Sequence, residues 1–282
     1  MTCTGAENVF PLAIEGTFDD AQHTVKEIFS DLNFREQVGL SAVNSINLAR
    51  ILAQSVYYLY AWLRLDPVER KETSFVVPTG NFGNVFAGWL LTKMGVDFPE
   101  FRVATNQNDV LHRLFSTGEY SLGSVCPSLA PSMDIQVASN FERLLYFILD
   151  KDAHEVRKVM EAFRREGKYC FEKFLGDGFS SSSASDTEIP ALIKSVSAQS
   201  DYLVDPHTAC AFKDLDPARS SMILATAHPA KFPSVYEQAG MAIPKHSSLQ
   251  ELLARTPRRF RLSVDPKSIR SFIEEQTLHE NE

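Results

Sequence analysis

The stretch Val76-Val77-Pro78-Thr79-Gly80-Asn81-Phe82-Gly83-Asn84 decides how this chain folds around its candidate site. An apolar strand, predicted over residues 74–77, runs into a turn with two glycines and then into a helical pattern over residues 84–94. This arrangement directs backbone N–H groups and a helix N-terminus to one point, which is how α/β folds hold a phosphate. The glycines allow close approach to the anion, and Asn81 and Asn84 add side-chain donors.

The turn does not identify its ligand, because a glycine-containing strand–turn–helix is also an ordinary α/β connection. It lacks the Lys-Ser/Thr pair of a nucleotide P-loop and the third glycine of a dinucleotide-binding turn. The pattern therefore favours a phosphate group that belongs neither to ATP nor to NAD.

Composition excludes several classes of partner. The chain has 282 residues, a net charge of −8, and 44% hydrophobic and 23% charged residues, which is typical of a globular protein. The negative balance argues against nucleic acid and anionic membranes as partners. Four cysteines without C-x-x-C spacing indicate neither a disulfide framework nor a metal site. The longest apolar stretch, residues 51–65, is too short and too polar to span a bilayer, and no signal-peptide pattern opens the chain, so we expect a cytoplasmic protein.

Strands and helices alternate through the first half of the chain, which predicts a parallel sheet. A strand over residues 101–105 and a helix over residues 109–115 follow the opening motif. Ligands of such sheets bind beyond the carboxyl ends of the strands. The loops at residues 78–83 and 106–109 both lie at such ends.

Other segments are predicted from their periodicity and composition. We expect a strand over residues 9–14, a helix over residues 18–32, and a long apolar helix over residues 44–65 that is packed on most sides. Residues 176–186, rich in glycine and serine, are expected to form a mobile surface loop. Residues 221–226 read as a buried strand.

Six stretches of the sequence occur in the same order in one enzyme family: Ala42-Val43-Asn44-Ser45-Ile46-Asn47-Leu48-Ala49-Arg50, Val77-Pro78-Thr79-Gly80-Asn81-Phe82-Gly83-Asn84, Ala104-Thr105-Asn106-Gln107-Asn108-Asp109, Pro131-Ser132-Met133-Asp134-Ile135, Asp205-Pro206-His207-Thr208-Ala209 and Thr226-Ala227-His228-Pro229-Ala230-Lys231-Phe232. Together they resemble threonine synthase, a pyridoxal-phosphate enzyme of the tryptophan-synthase-β fold type. The resemblance covers nearly the whole chain and is strongest to the longer form of the enzyme found in fungi and many bacteria.

The resemblance implies an α/β fold with a parallel or mixed sheet flanked by helices, that of fold type II pyridoxal-phosphate enzymes, truncated at its N-terminus. By this resemblance, residues 1–125 form the back part of the large cofactor-binding domain. Residues 126–282 form a C-terminal helical region with the closing strand or strands of the cofactor site.

The resemblance also assigns cofactor-binding residues. Gly80, Asn81, Phe82, Gly83 and Asn84 are expected to bind the phosphate of pyridoxal 5'-phosphate (PLP). The hydroxyl of Thr226, at the end of a buried strand, is expected to meet the pyridine nitrogen of the cofactor. A hydroxyl there cannot hold a full pyridinium charge as a carboxylate would, so the ring is a weaker electron sink. The alternative is that Thr226 only caps the turn that follows it.

A second set, Asn44, Ser45, Asn47 and Arg50, resembles the pocket for the phosphate of the substrate. Asn47 and Arg50 are three residues apart on one helical face, and Asn44 and Ser45 stand at the helix N-terminus, where anions are favoured. The planar guanidinium group of Arg50 suits two phosphate oxygens at once. The alternative is that Asn44 or Ser45 caps the helix and Arg50 pairs with a surface carboxylate.

The family's Schiff-base lysine lies far upstream of the matched region, in an Ala-Phe-Lys-Asp context, so we expect no catalytic residue in this chain. Met1-Thr2 resembles an internal Met-Thr of the family, which predicts that the chain is the back half of a longer enzyme. Ala211-Phe212-Lys213-Asp214 repeats the tetrapeptide where the family has an ordinary helix, so Lys213 is expected to be a surface lysine. His228 is expected to make a structural hydrogen bond.

The resemblance implies a lyase of threonine biosynthesis that converts O-phospho-L-homoserine and water to L-threonine and phosphate. Its cofactor would be PLP and its substrate a phosphorylated amino acid. Two alternatives stay open: a related phospholyase that releases phosphate and forms a keto acid, and a non-catalytic fragment that binds phosphate or a partner. The sequence does not indicate an oligomeric state.

Overall fold

The computed structural model describes residues 2–16, 18–43, 47–171 and 178–278. The chain forms two compact units, one made of Met1–Ala42 with Lys245–Glu282 and the other of Val43–Pro244. These units reflect packing, whereas the expected division between residues 125 and 126 follows from the family resemblance. That functional division stays a prediction.

Eight strands lie within the described residues: β1 (Leu12–Ile14), β2 (Ser74–Pro78), β3 (Phe101–Thr105), β4 (Glu119–Ser121), β5 (Lys168–Cys170), β6 (Phe179–Ser183), β7 (Ser221–Ile223) and β8 (Phe260–Leu262). The central sheet has the order β6-β3-β2-β7, and each neighbouring pair is parallel. β1 pairs in parallel with β8, and β4 pairs antiparallel with β5. The predicted parallel sheet flanked by helices is therefore confirmed.

Thirteen α-helices lie within the described residues: α1 (Phe18–Ser30), α2 (Leu32–Gln37), α3 (Leu48–Arg64), α4 (Glu69–Glu72), α5 (Gly83–Thr92), α6 (Val110–Thr117), α7 (Phe141–Ile148), α8 (Ala153–Glu166), α9 (Ile189–Ser200), α10 (Pro206–Cys210), α11 (Pro233–Gln238), α12 (Ser247–Leu253) and α13 (Pro266–Leu278). Two single 3-10 turns, Pro131–Met133 and Pro229–Lys231, join them. None of the helices in this described part of the chain is long and apolar enough to cross a membrane.

The two inner strands of the central sheet, β2 and β3, are buried, as in a parallel sheet with helices on each side, whereas the edge strands β6 and β7 are half-buried. β2 is buried at all five positions. Its residues Phe75 and Val77 join the large aromatic core with α5, while Val76 packs with Ala104 and Ala211. The position of α5 next to α3 requires a glycine, because a Cβ atom at Gly88 would lie 2.5 Å from the ring of Tyr58.

The long apolar helix differs from its prediction in both its start and its environment. It begins at Leu48, and the preceding Asn47 is its N-cap. Ile51 and Tyr58 are buried, but one stripe along the helix is exposed, and its residues recur every three or four positions: Leu48, Leu52, Val56, Tyr60 and Leu63. The helix is thus packed on one side only in this chain, and the expectation of packing on most sides is wrong here.

The mobile loop expected over residues 176–186 is wrong for residues 179–183, which form β6 at the edge of the central sheet. Residues 172–177 lie outside the described residues. Two of its serine side chains find partners there: Ser181 Oγ lies 2.9 Å from His112 Nδ1, and Ser183 Oγ donates to the Asn106 carbonyl at 2.8 Å. The Ser180 and Ser182 hydroxyls are buried and have no hydrogen-bond partner among the described residues. Pairing with β3 therefore overrides a composition that is typical of a loop.

Candidate functional site

The candidate site lies at the carboxyl edge of the central sheet. β2 and β7 are parallel neighbours, with Val76 opposite Ile223, so the chain leaves both strands at the same edge. The loop after β2 contains residues 80–84, and the loop after β7 contains Thr226. The fold thus brings the two groups of predicted cofactor residues to one edge of the sheet.

The turn after β2 is built around a close approach and one left-handed residue. A Cβ atom at Gly80 would lie 2.9 Å from the carbonyl oxygen of Ser132, so this position has room only for glycine. Phe82 has φ 65° and is the N-cap of α5. That conformation is costly for a residue with a side chain, and the buried ring of Phe82 offsets the cost by stacking on Phe115 at 5.8 Å. A left-handed residue at the start of a helix directs consecutive N–H groups into one concavity.

Asn81 and Asn84 are both held by neighbouring segments. Asn140 donates to the Asn81 carbonyl from its backbone N and from Nδ2, at 3.0 and 3.1 Å. The Tyr58 hydroxyl lies 2.8 Å from Oδ1 of Asn84 and 2.9 Å from its carbonyl oxygen, and the single hydroxyl proton is shared between these two acceptors. Burial raises the pKa of Tyr58 well above its ordinary value, so this hydroxyl remains a donor. Because Oδ1 of Asn84 is engaged, its Nδ2 is the part of the side chain that can bind an anion.

A polar cluster at the end of β3 fixes the segment that lies against Gly80. Asp134 Oδ1 accepts from Asn106 Nδ2 at 2.7 Å and from Asn108 Nδ2 at 2.9 Å, and Oδ2 accepts from the Ser128 backbone N at 2.9 Å. Asn108 also donates to the Cys126 carbonyl at 2.8 Å. The sequence indicates this cluster only by placing Asn106-Gln107-Asn108 at a strand end. The role of Asp134 becomes visible with the fold.

Thr226 differs from its prediction in its local environment. β7 ends at Ile223. The Leu224 backbone N still donates to the Val76 carbonyl at 3.0 Å, but the residues after it are not part of the strand. Thr226 is exposed and does not close a buried strand. Its backbone N donates to Thr208 Oγ1 at 3.1 Å, and the two hydroxyl oxygens lie 3.2 Å apart.

Asp205 and His207 are site residues that sequence analysis recorded only as part of a motif. Asp205 is 1% exposed and His207 is 4% exposed. Asp205 Oδ1 accepts from His207 Nδ1 at 2.9 Å, and its Oδ2 accepts from the Thr208 hydroxyl and from the Ala227 backbone N at 3.3 Å. The Asp-Pro pair at the start of α10, an N-cap followed by proline, is typical of a helix start and is the sequence signal that could have indicated this position.

The protonation of this pair follows from its hydrogen bonds. Burial acts to raise the pKa of Asp205, but hydrogen bonds from His207 and Thr208 outweigh it and lower that pKa below its ordinary value. His207 Nε2 accepts from the Ser132 backbone N at 3.1 Å, which requires a ring nitrogen without a proton. The network therefore assigns a carboxylate to Asp205 and a neutral imidazole, protonated at Nδ1, to His207.

The predicted substrate-phosphate set is only partly within the described residues. Asn44 and Ser45 lie outside them. Asn47 caps α3 by accepting from the Ala49 backbone N at 2.9 Å. Arg50 is exposed, and its guanidinium group donates to the Val43 carbonyl. Asn47 is thus the cap of α3, and Arg50 bonds a carbonyl and not the surface carboxylate of the alternative interpretation. The assignment of this set to a substrate phosphate stays a prediction.

Lys213, in the repeated tetrapeptide, is an ion-paired residue. Its Nζ lies 2.6 Å from Glu188 Oε1 and 3.3 Å from Asp214 Oδ1. The hydrogen bond to Glu188 raises the pKa of Lys213 and lowers the pKa of Glu188 to about 2. A lysine held in its charged form is a poor nucleophile. His228 makes a local bond, since its Nδ1 accepts from the Ala230 backbone N at 3.2 Å.

Comparison with known proteins relates this geometry to one family. The family model described as "Threonine synthase, C-terminal" matches residues 207–273. Threonine synthase of Pseudomonas aeruginosa is 41% identical over 286 residues, which cover 97% of this chain and 60% of that protein. Threonine synthase of Saccharomyces cerevisiae is 38% identical, over 90% of this chain and 54% of that protein.

The fold agrees with the sequence matches. The crystal structure of PLP-bound threonine synthase from Brucella melitensis superimposes with a TM-score of 0.83 and 38% identity, over 98% of this chain and 61% of that one. The chain therefore spans 54–61% of the length of these relatives. The resemblance found in the motifs is confirmed: over nearly its whole length, the chain is similar to the C-terminal portion of threonine synthases.

Proposed function

We propose that this chain is the part of a threonine synthase that binds the phosphate and the ring nitrogen of PLP. The complete enzyme would convert O-phospho-L-homoserine and water to L-threonine and phosphate. One observation carries the proposal: the loops after β2 and β7 meet at the same carboxyl edge of the sheet. The loop after β2 contains the glycine turn at Gly80, and the loop after β7 contains the exposed Thr226.

The residues present fit the cofactor in their chemistry. The close contact of Gly80 with the Ser132 carbonyl, which leaves no room for a Cβ atom, fixes the backbone of the turn at the carboxyl edge of the sheet. The first N–H groups of α5 have no partner within the helix, and the helix dipole favours a dianion there. Gly80, Asn81, Phe82, Gly83 and Asn84 would hold the phosphate, and Thr226 would offer its hydroxyl to the pyridine nitrogen.

The chemistry itself divides between the cofactor and the chain. PLP supplies an electron sink that makes the protons of a bound amino acid acidic. The chain's share is binding and orientation: Tyr58 fixes the amide of Asn84, and Asn140 fixes the carbonyl of Asn81. These contacts orient the donors before the ligand arrives, which lowers the cost of binding.

We propose that Asn44, Ser45, Asn47 and Arg50 bind the phosphate of the substrate in the complete protein. Arg50 is exposed, so its guanidinium group can leave the Val43 carbonyl for a phosphate at little desolvation cost. The proposal includes the expected functional division, residues 1–125 and residues 126–282, and a cytoplasmic location.

The exposed apolar stripe of α3 supports the proposal that a further protein segment packs against this chain in the complete enzyme. Exposed apolar patches of this kind mark surfaces that pack against protein. About two-fifths of the length of these relatives lies outside the matched part. We therefore propose that catalysis requires that additional part, including its cofactor lysine.

The test has two stages. First, isothermal titration calorimetry of the 282-residue chain with pyridoxal phosphate should show binding, and the single change Gly80→Ala should weaken it. Second, the chain fused to the remaining N-terminal part of the Pseudomonas aeruginosa relative should form threonine and phosphate from O-phospho-L-homoserine. Phosphate with a keto acid would identify a phospholyase instead. Binding without any turnover in the fusion would favour the non-catalytic alternative.

A further inference from the structure

One buried carboxylate reaches both ends of the proposed cofactor site. Asp205 is almost fully buried, and both of its oxygens accept from residues of α10, while Oδ2 also accepts from the loop after β7. Oδ1 holds the imidazole of His207, and Oδ2 holds the hydroxyl of Thr208 together with the Ala227 backbone N. A buried charge is tolerated only when several donors compensate it, and here the donors lead outward to two loops.

The first branch leads to the phosphate turn. His207 accepts from the Ser132 backbone N at 3.1 Å, and its own Nδ1–H is fixed by Asp205. The Ser132 carbonyl is the atom that leaves no room for a Cβ atom at Gly80. The tautomer of His207 therefore determines how firmly the segment at Ser132 supports the turn.

The second branch leads to the ring-nitrogen hydroxyl. Thr208 has a single hydroxyl proton, which it donates to Asp205 Oδ2. Its oxygen accepts from the Thr226 backbone N at 3.1 Å and lies 3.2 Å from the Thr226 hydroxyl. Because Thr208 has no second proton, the hydroxyl of Thr226 cannot receive one from it and acts towards it only as a donor. Thr208 thus fixes the backbone of Thr226 and leaves its hydroxyl able to turn to a ligand.

We propose that Asp205, His207 and Thr208 form one positioning unit that aligns the phosphate turn and the Thr226 hydroxyl for the same ligand. His207 serves the phosphate end, Thr208 serves the ring end, and Asp205 sets both. This inference rests on the proposed function, because it takes PLP as the ligand that spans the two ends. It assigns these three residues no contact with the reacting atoms.

The two branches can be tested separately by measuring the affinity of the 282-residue chain for two ligands. Pyridoxine 5'-phosphate carries the ring and the phosphate but no aldehyde, and inorganic phosphate carries only the phosphate. We expect Thr208→Val to lower the affinity for pyridoxine 5'-phosphate about tenfold, because one hydrogen-bonding group is lost at the ring end. The affinity for inorganic phosphate should fall less than about twofold. Thr208→Ser keeps the hydroxyl and should restore the affinity.

His207→Phe should lower the affinities for both probes by similar factors, because it removes the acceptor for the Ser132 backbone N. Phenylalanine is chosen because a ring of similar size can still pack near Phe232. Asp205→Asn should weaken both probes at least as much. The matched control is Thr73→Val, because Thr73 is a buried threonine that bonds Ser220 at 3.0 Å at the opposite edge of the sheet. It should change neither affinity.

A measurement without any ligand tests the unit itself. Long-range 1H–15N NMR correlations at pH 7 should show His207 neutral with its proton on Nδ1, and Asp205→Asn should abolish this tautomer preference. A proton on Nε2 in the wild-type chain, or equal losses for both probes in Thr208→Val, would overturn the inference while leaving PLP binding intact. Failure of the wild-type chain to bind either probe would overturn the proposed function, and the tautomer result would then decide whether Asp205 holds the Ser132 segment.

Discussion

Two helix starts in this chain are proposed to bind phosphate, and they are built differently. The start of α5 is buried, follows a glycine turn and is held by Tyr58 and Asn140 from other elements. The start of α3 is exposed, carries its own cap at Asn47, and has an arginine that binds a carbonyl of the preceding segment. The first start is organised by tertiary packing and the second by local contacts.

The difference indicates which of the two sites this chain can form alone. A phosphate site binds well when its donors are oriented in advance, because binding then costs little ordering. The turn before α5 meets this condition within residues 43–244. At the start of α3, the Asn47 side chain is bonded to the Ala49 backbone N and the Arg50 guanidinium group to the Val43 carbonyl, so a further segment or the ligand itself must orient these groups towards a phosphate.

Gly80→Ala should have the largest effect on stability and on cofactor affinity, because it would disturb the advance orientation of the donors at the start of α5. The new Cβ atom would lie 2.9 Å from the Ser132 carbonyl, so either the turn or the segment must move. We expect a loss of about 1–3 kcal/mol in unfolding free energy and at least about a tenfold loss of pyridoxal-phosphate affinity, measured by denaturation and calorimetry.

The control for that change is Gly240→Ala. Gly240 has φ 65° with open space around its Cβ position, so alanine there costs about 1–2 kcal/mol of backbone strain at a distance from the turn. It should lower stability and leave the affinity unchanged. Equal affinity losses in the two variants would mean that Gly80 acts only through stability.

The contribution of Asp205 to the free energy of unfolding should depend on pH, because Asp205 is charged in the folded state. Because the folded-state pKa of Asp205 is lowered, its contribution to stability is present above the unfolded value and is lost as pH falls through the folded pKa. Asp205→Asn should therefore lower the unfolding free energy by about 1.5–3 kcal/mol at pH 7, and this difference should shrink below about pH 4.

Asp152→Asn provides the comparison for Asp205. Asp152 also caps a helix, accepting from the His154 and Glu155 backbone N atoms, but it is exposed. Asparagine is an equally good cap, so its effect should stay within about 0.5 kcal/mol. A constant difference for Asp205→Asn from pH 7 to pH 3 would contradict the assignment of a carboxylate.

Tyr58→Phe should have an intermediate effect, because it removes the two bonds to Asn84 but leaves the ring in place. We expect a loss of about 1–2 kcal/mol in stability and a several-fold loss of PLP affinity. Tyr57→Phe is the matched control, since Tyr57 is 64% exposed on the same helix. An unchanged affinity in Tyr58→Phe would show that Asn84 does not depend on its partner.

Arg50→Ala should have the smallest effect in the chain as it stands and a large one in the complete enzyme. With an exposed guanidinium group bound to one carbonyl, stability should change by less than about 0.5 kcal/mol. In the fused protein, KM for O-phospho-L-homoserine should rise at least about tenfold, and Arg50→Lys should not restore it.

Arg64→Ala, at the other end of α3, is the control for Arg50, because its guanidinium group is also exposed and contacts the local Tyr60 side chain. It should change neither stability nor KM. An unchanged KM in Arg50→Ala would remove the start of α3 from the list of phosphate sites and leave α5 as the one supported in the described residues.

Some elements were predicted well because their signals are local. β3 was predicted with its exact bounds, and β2 and α5 to within two residues, since an apolar run, two glycines and a helical pattern act over a few neighbouring positions. β6 was missed because its serines favour a loop, and only pairing with β3 makes them a strand. The exposed stripe of α3 was missed because apolar periodicity reports a face and not what covers it.

The sequence alone determined the parallel α/β class, the glycine turn after β2 and the family, since these depend on local patterns and on motifs in a fixed order. The tertiary structure decided which loops meet at the carboxyl edge, that Thr226 is exposed, and that Asp205 joins His207 to Thr208. Those features depend on residues far apart in the chain, such as Ser132 and His207, or Tyr58 and Asn84. Strand order and packing bring such pairs within hydrogen-bond distance, and no local signal in the chain specifies that.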